Sequence, residues 1–68
     1  MTQIEAEVIL ALADHNLRVM PTARSIYMHR NTVMYHLEKV RKQTGKNPTN
    51  FYDMCELVKV AKATRGEV

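Results

Sequence analysis

Between Ala23 and Leu37 the apolar residues recur at a spacing that suits two short helices joined by a sharp turn. Counted from Ala23, they fall at +3 (Ile26), +5 (Met28), +10 (Val33) and +14 (Leu37). So few residues separate Ile26 from Val33 that the chain must turn abruptly, with Met28 plugging the angle and the small Ala23 letting the two helices approach closely. The spacing predicts a helix-turn-helix over about Pro21 to Gly45, an arrangement that projects its second helix outward, where it can enter a major groove.

The flanking sequence reads as helix too, with no alternating strand pattern and no repeat, so the expected fold is all-α, four helices with a central helix-turn-helix. The helices are expected at about 2–14, 21–27, 30–44 and 51–63 within a single domain of residues 1–68. In the first, Thr2 and Glu5 form a capping box, and Ile4, Val8, Ala11 and Leu12 make the inward stripe. Pro21 suits the first turn of the second helix, where its missing N–H is not needed, and Ala23, Ile26 and Tyr27 give that helix its inner face. The third has Val33, Leu37 and Val40 inward and stops at Gly45, which tolerates a left-handed cap. Asn50 caps the fourth, with Phe51, Cys55, Val58 and Ala61 toward the core. Ile9, Leu10, Tyr52, Met54 and Val60 are left as surplus apolar surface, and the closing TRGEV is expected to fray.

A chain of 68 residues cannot wall off a deep catalytic cavity, so surface binding is the better expectation. The single Cys55 makes no internal disulfide, and no clustered Cys/His spacing suggests zinc. His29 and His36 stand seven apart, the wrong spacing for a metal pair on one helix, and no nucleophile pairs visibly with a base. The reading is therefore neither an enzyme nor a cofactor or metal protein. No apolar run approaches the roughly 18 residues of a membrane span, and a reducing cytoplasm fits the lone thiol. The net charge of +3 is unevenly spread. Residues 1–15 carry −3 (Glu5, Glu7, Asp14) and residues 47–68 balance at zero. Residues 16–46 set Arg18, Arg24, Arg30, Lys39, Arg41, Lys42 and Lys46 against Glu38 alone, leaving +6. Such a block attracts polyanions because each cation that neutralises a phosphate releases condensed counterions. Taken alone, it is also what a solvated helix face looks like.

The segment TARSIYMHRNTVMYHLEKVRKQTG, residues 22–45, resembles the C-terminal helix-turn-helix of the purine-catabolism (PucR) and carbohydrate diacid regulators, which carry a run like TARxLxVHRNTLxYRLxRIxxxTG followed by one more helix. More distantly the chain resembles the fold of the factor-for-inversion-stimulation proteins. The resemblance implies sequence-specific DNA binding in transcriptional control. Met34 and His36 depart from positions that are often arginine in those regulators, which removes positive charge from the recognition helix, and Met20 stands where a capping serine is frequent. In those regulators the domain ends a longer protein with an effector-sensing region. Here the chain starts at its own Met1 with no small-molecule effector site evident, which leaves a free-standing protein and a piece of a larger one both open.

With Val33, Leu37 and Val40 inward, a helical wheel turns Asn31, Tyr35, Glu38 and Lys42 outward, flanked by Met34 on one side and Thr32 and Lys39 on the other. Arg30 suits guanine O6 and N7, and Asn31 suits adenine N6 and N7, unless Asn31 is instead the helix cap. Tyr35 and Met34 complete the expected base-contacting set, Met34 either on a thymine methyl or simply exposed. Thr22, Arg24, Thr32, Lys39 and Lys42 read as phosphate contacts, Arg18 and Lys46 as weaker ones, and Glu38 as a partner of Lys42. A lone helix-turn-helix has a small footprint, so a homodimer through the first or fourth helix on double-stranded DNA is the expected assembly. The competing reading is a protein-interaction module using the same fold, with Ile9, Tyr52, Met54 and Val60 as its sticky surface. Single-stranded or RNA binding is disfavoured, because four aromatics, mostly at core-type positions, make a poor stacking platform.

Overall fold

The computed structural model describes residues 1–67 and contains four helices, α1 (Gln3–Asp14), α2 (Val19–Ser25), α3 (Arg30–Thr44) and α4 (Phe51–Thr64), with no strand among the described residues. The fold is all-α. α1 opens with a complete capping box: the Glu5 N–H donates to Thr2 Oγ1 at 3.1 Å, and the Thr2 N–H donates to Glu5 Oε1 at 2.8 Å. That second bond lets Glu5 sit only 1% exposed without stranding its carboxylate.

α1 is the hub, packing against α2, α3 and α4. A helix with three neighbours needs an apolar face wider than one stripe, and the buried set is Ala6, Val8, Ile9 and Leu12. Ile9 is therefore core and not surplus, whereas Ile4, predicted inward, is 52% exposed and Ala11 only half-buried. Packing against three neighbours turns this face toward Glu5 and Ile9, and the Thr2–Glu5 box satisfies the carboxylate that is buried with it.

α2 begins two residues before the predicted Pro21, which is its third residue. None of the first four N–H groups of a helix has a partner inside the helix, so proline is tolerated there as well as at the first position. Arg18 occupies the cap position, without a side-chain bond, and Met20 lies inside the helix. α2 ends in a Schellman motif: the Met28 N–H donates to the Ala23 carbonyl at 2.9 Å and the Tyr27 N–H to the Arg24 carbonyl at 3.4 Å. Tyr27 is the left-handed residue of this motif, with φ 55°. It was predicted on the inner face of α2, but the reversal of chain direction throws its ring outward, 97% exposed, while Met28 packs against the core.

In α3 the buried residues are Val33, Leu37 and Val40, and Gly45 caps the helix at φ 73°. Asn50 caps α4 by accepting from the Asp53 N–H at 3.1 Å. The face of α4 differs from the predicted one. Met54, Leu57 and Ala61 are buried, whereas Phe51 is 65% exposed and Cys55 is exposed. This face is rotated by roughly 70° on a wheel of about 100° per residue, because α4 packs on α1 through its Met54–Leu57–Ala61 row. Phe51, Cys55 and Val58 instead line an open apolar groove of about 500 Å³ with Ala13, Asn16, Leu17, Met54 and Lys59. At the end of the chain Thr64 is still helical, and the Glu67 N–H donates to the Lys62 carbonyl at 2.8 Å, so Thr64–Glu67 closes a cap where fraying was predicted; Val68 lies outside the described residues. No helix among the described residues is long and apolar enough to cross a membrane.

The rotation of α4 has a direct check. Leu57→Ala is expected to lower unfolding stability by about 2–5 kcal/mol, as buried leucines do, while Cys55→Ala should change it by less than about 0.5 kcal/mol. Urea unfolding of the two variants measures both; equal losses would contradict this packing.

Candidate nucleic-acid interface

The angle between α2 and α3 is set by Ala23, 3% exposed, and by the Met28 bond back to it. α3 then starts from an unanticipated cap. His29 Nδ1 accepts from the Asn31 N–H at 3.0 Å. Histidine is not among the usual capping types, Ser, Thr, Asp and Asn, so the sequence carried no clear signal for it. The bond excludes the alternative reading of Asn31 as the cap, and the Asn31 side chain is exposed.

Arg30, Asn31, Thr32, Met34 and Tyr35 all lie on the exposed surface of the first turns of α3. Tyr35 is 59% exposed, with the Lys39 ammonium 5.6 Å from its ring centroid and the His36 ring edge-on at 5.3 Å. Both neighbours contact the Tyr35 ring, the ammonium through a cation–π interaction. Met34 faces the other flank, beside Leu37, Glu38 and Arg41 and the link residues Asn47, Pro48 and Thr49.

The charges sort into two groups. Glu38 was predicted to pair with Lys42; it binds Arg41 instead, one turn away, with one of the two hydrogen bonds at 3.0 Å. The fork of the Arg41 guanidinium meets both carboxylate oxygens, which a lysine point charge cannot do. Arg41 holds the Glu38 carboxyl below its usual range, so the pair stays ionised at neutral pH and largely cancels itself. Lys46 is likewise neutralised by Glu56, whose carboxylate raises the lysine's pKa, which weakens the case for a phosphate role. Arg18, Arg24, Arg30, Lys39 and Lys42 have no acidic partner among the described residues, and all five are exposed.

One predicted phosphate contact is corrected. Thr22 is fully buried, and its hydroxyl donates to the Arg18 carbonyl at 2.7 Å, so it braces α2 from within and is closed to a ligand. Arg24, Thr32, Lys39 and Lys42 are all exposed.

A short helix, a tight left-handed turn and a capped second helix with a polar outer face define a helix-turn-helix domain. A family model described as the PucR C-terminal helix-turn-helix domain matches residues 6–62. This span takes in most of the chain, from α1 into α4, and the chain belongs to that family. No curated protein and no solved structure matches it.

The cap is testable apart from any ligand. His29→Ala is expected to lower stability by about 0.5–2 kcal/mol, and His29→Ser, which restores an accepting oxygen, to recover most of that loss. Chemical denaturation of both variants checks it; identical losses would mean that the Nδ1 bond contributes nothing.

Proposed function

We propose that the domain binds double-stranded DNA sequence-specifically, as a transcription regulator or its DNA-binding part, with α3 as the recognition helix. The observation that carries this reading is the outer surface of α2 and α3. Its five exposed cations lack acidic partners among the described residues, while the remaining two in this region are neutralised internally. Cations without internal partners are the ones that release counterions when they meet phosphates. Arg30 and Asn31 stand at the start of α3 with bidentate hydrogen-bonding edges that suit guanine and adenine, and Tyr35 lies one turn further on; Met34, half-exposed on the flank, is the most peripheral of the four. Arg24, Thr32, Lys39 and Lys42 serve the backbone in this reading. The role is non-enzymatic and cytoplasmic, and it suits an exposed free thiol at Cys55.

The same reading includes a homodimer. Two recognition helices must lie about 34 Å apart to meet successive turns of the groove on one face of the duplex, and a single protomer is 27 Å in its longest dimension. The apolar groove between the end of α1 and the start of α4 supports a second copy as its occupant. α3 packs against α1 and α2 and not against α4, so pairing through this groove leaves both recognition helices free. Sedimentation should show a dimer on a palindromic site; a monomer both free and bound would refute the assembly, and capture of a different protein there would favour the interaction-module reading.

The two kinds of α3 contact separate by their physics. Asn31→Ala is expected to cost about 1–3 kcal/mol at the selected site with little change on a scrambled duplex. Lys39→Ala should weaken both duplexes alike and reduce the slope of log affinity against log salt by about one unit per protomer. Duplexes selected from a random pool, titrated at several salt concentrations, provide the measurement. Equal weakening of both duplexes by Asn31→Ala would remove it from the base-reading set.

A further inference from the structure

Three non-glycine residues among those described have left-handed backbone: Asn16 at φ 56°, Leu17 at 63° and Tyr27 at 55°. Asparagine tolerates this region, and the half-buried Leu17 offsets its strain by packing against the core. Tyr27 has neither compensation, since glycine suits this position of the turn better and its ring is 97% exposed. The Schellman turn accounts for the left-handed backbone but not for a tyrosine there, and its ring, free of packing contacts, is open to use at the surface. Two residues on, the cap fixes the tautomer of the neutral His29 ring. Nδ1 accepts the Asn31 N–H, so in the neutral ring the proton resides on Nε2, and the residue is exposed. The α2–α3 turn therefore presents two neutral hydrogen-bond donors, the Tyr27 hydroxyl and the His29 Nε2–H. In sequence they stand between Arg24 and Arg30, exposed and without acidic partners among the described residues.

Neutral donors that lie in sequence between two arginines without acidic partners among the described residues match the oxygens of a phosphodiester, which accept several hydrogen bonds and carry negative charge. Resting on the DNA-binding reading above, we infer that this turn grips the DNA backbone, with Tyr27 and His29 each donating to a phosphate beside the bases that α3 reads. These contacts differ from those of the lysines in a measurable way. A neutral donor releases no counterion, so its loss lowers affinity at every salt concentration and leaves the salt slope unchanged. It also carries no sequence information, so selected and scrambled duplexes should suffer equally.

Three variants of the whole chain test the inference: Tyr27→Phe, which removes only the hydroxyl, Tyr27→Gly, which also relieves the backbone, and His29→Ser, which keeps the α3 cap and replaces the far-reaching Nε2–H with a hydroxyl held close to the backbone. Each should weaken both duplexes by roughly five- to tenfold with parallel salt lines. Urea unfolding should show Tyr27→Gly more resistant than the parent and the other two close to it, so the lost affinity cannot be a lost fold. If Tyr27→Phe and His29→Ser bind both duplexes as the parent does, the turn does not touch DNA and its exposed ring serves a protein partner. A reduced salt slope would also overturn the inference, because it would make the contacts ionic. A parent chain that binds neither duplex would overturn the DNA reading itself, an outcome distinct from parent binding with unaffected variants.

Discussion

The hydrogen bond from the Met28 N–H to the Ala23 carbonyl closes the turn on which the rest of this architecture depends. Such a bond forms only if the intervening Tyr27 adopts the left-handed conformation, which in turn points Met28 into the core and Tyr27 out of it. The direction of α3 follows from that reversal. Ala23 has to be small because a larger side chain at a 3% exposed position would push α3 away from α2. His29 then supplies the first partner for the unpaired N–H groups of α3, so the turn ends α2 and starts α3 within four residues.

Around this turn the small core is organised by α1. It contributes Ala6, Val8, Ile9 and Leu12, touches every other helix, and separates α4 from α3. The arrangement divides the surface into two regions of different chemistry. The α2–α3 side is cationic and holds the polar first turns of α3, whereas the groove between α1 and α4 is lined mainly by apolar side chains, with Lys59 and Asn16 at its polar points. A chain this short buries a limited fraction of its surface, and covering an apolar groove adds burial that the protomer cannot supply alone.

Electrostatics refines the contrast. The excess of positive charge in residues 16–46 is not spread evenly among its cations once side chains are placed. Arg41 and Lys46 spend their charge on Glu38 and Glu56, while Arg18, Arg24, Arg30, Lys39 and Lys42 have no such partner among the described residues. Surface pairs of this kind contribute little to stability, so their main effect is to determine which charges remain available to a polyanion.

The local features were legible in the sequence because they depend on residues a few positions apart. The Thr2–Glu5 box, the Asn50 cap, the Gly45 stop, the Ala23-to-Leu37 spacing and the Val33–Leu37–Val40 face all follow from one helical turn or one connection. The family motif lies in the same contiguous stretch. What tertiary structure alone decided is which of several apolar residues on a helix face inward. Ile9 over Ile4, and Leu57 over Phe51 and Cys55, were chosen by the position of the partner helix, about which the periodicity of a single helix carries no information. The same holds for the candidate site. Asn31 and Lys39 were correctly expected on the exposed face because α3 has one unambiguous apolar stripe. Thr22 was misjudged because its hydroxyl turns to the Arg18 carbonyl once α2 is packed, and Tyr27 because a tight turn inverts the side-chain direction that a continuing helix would give.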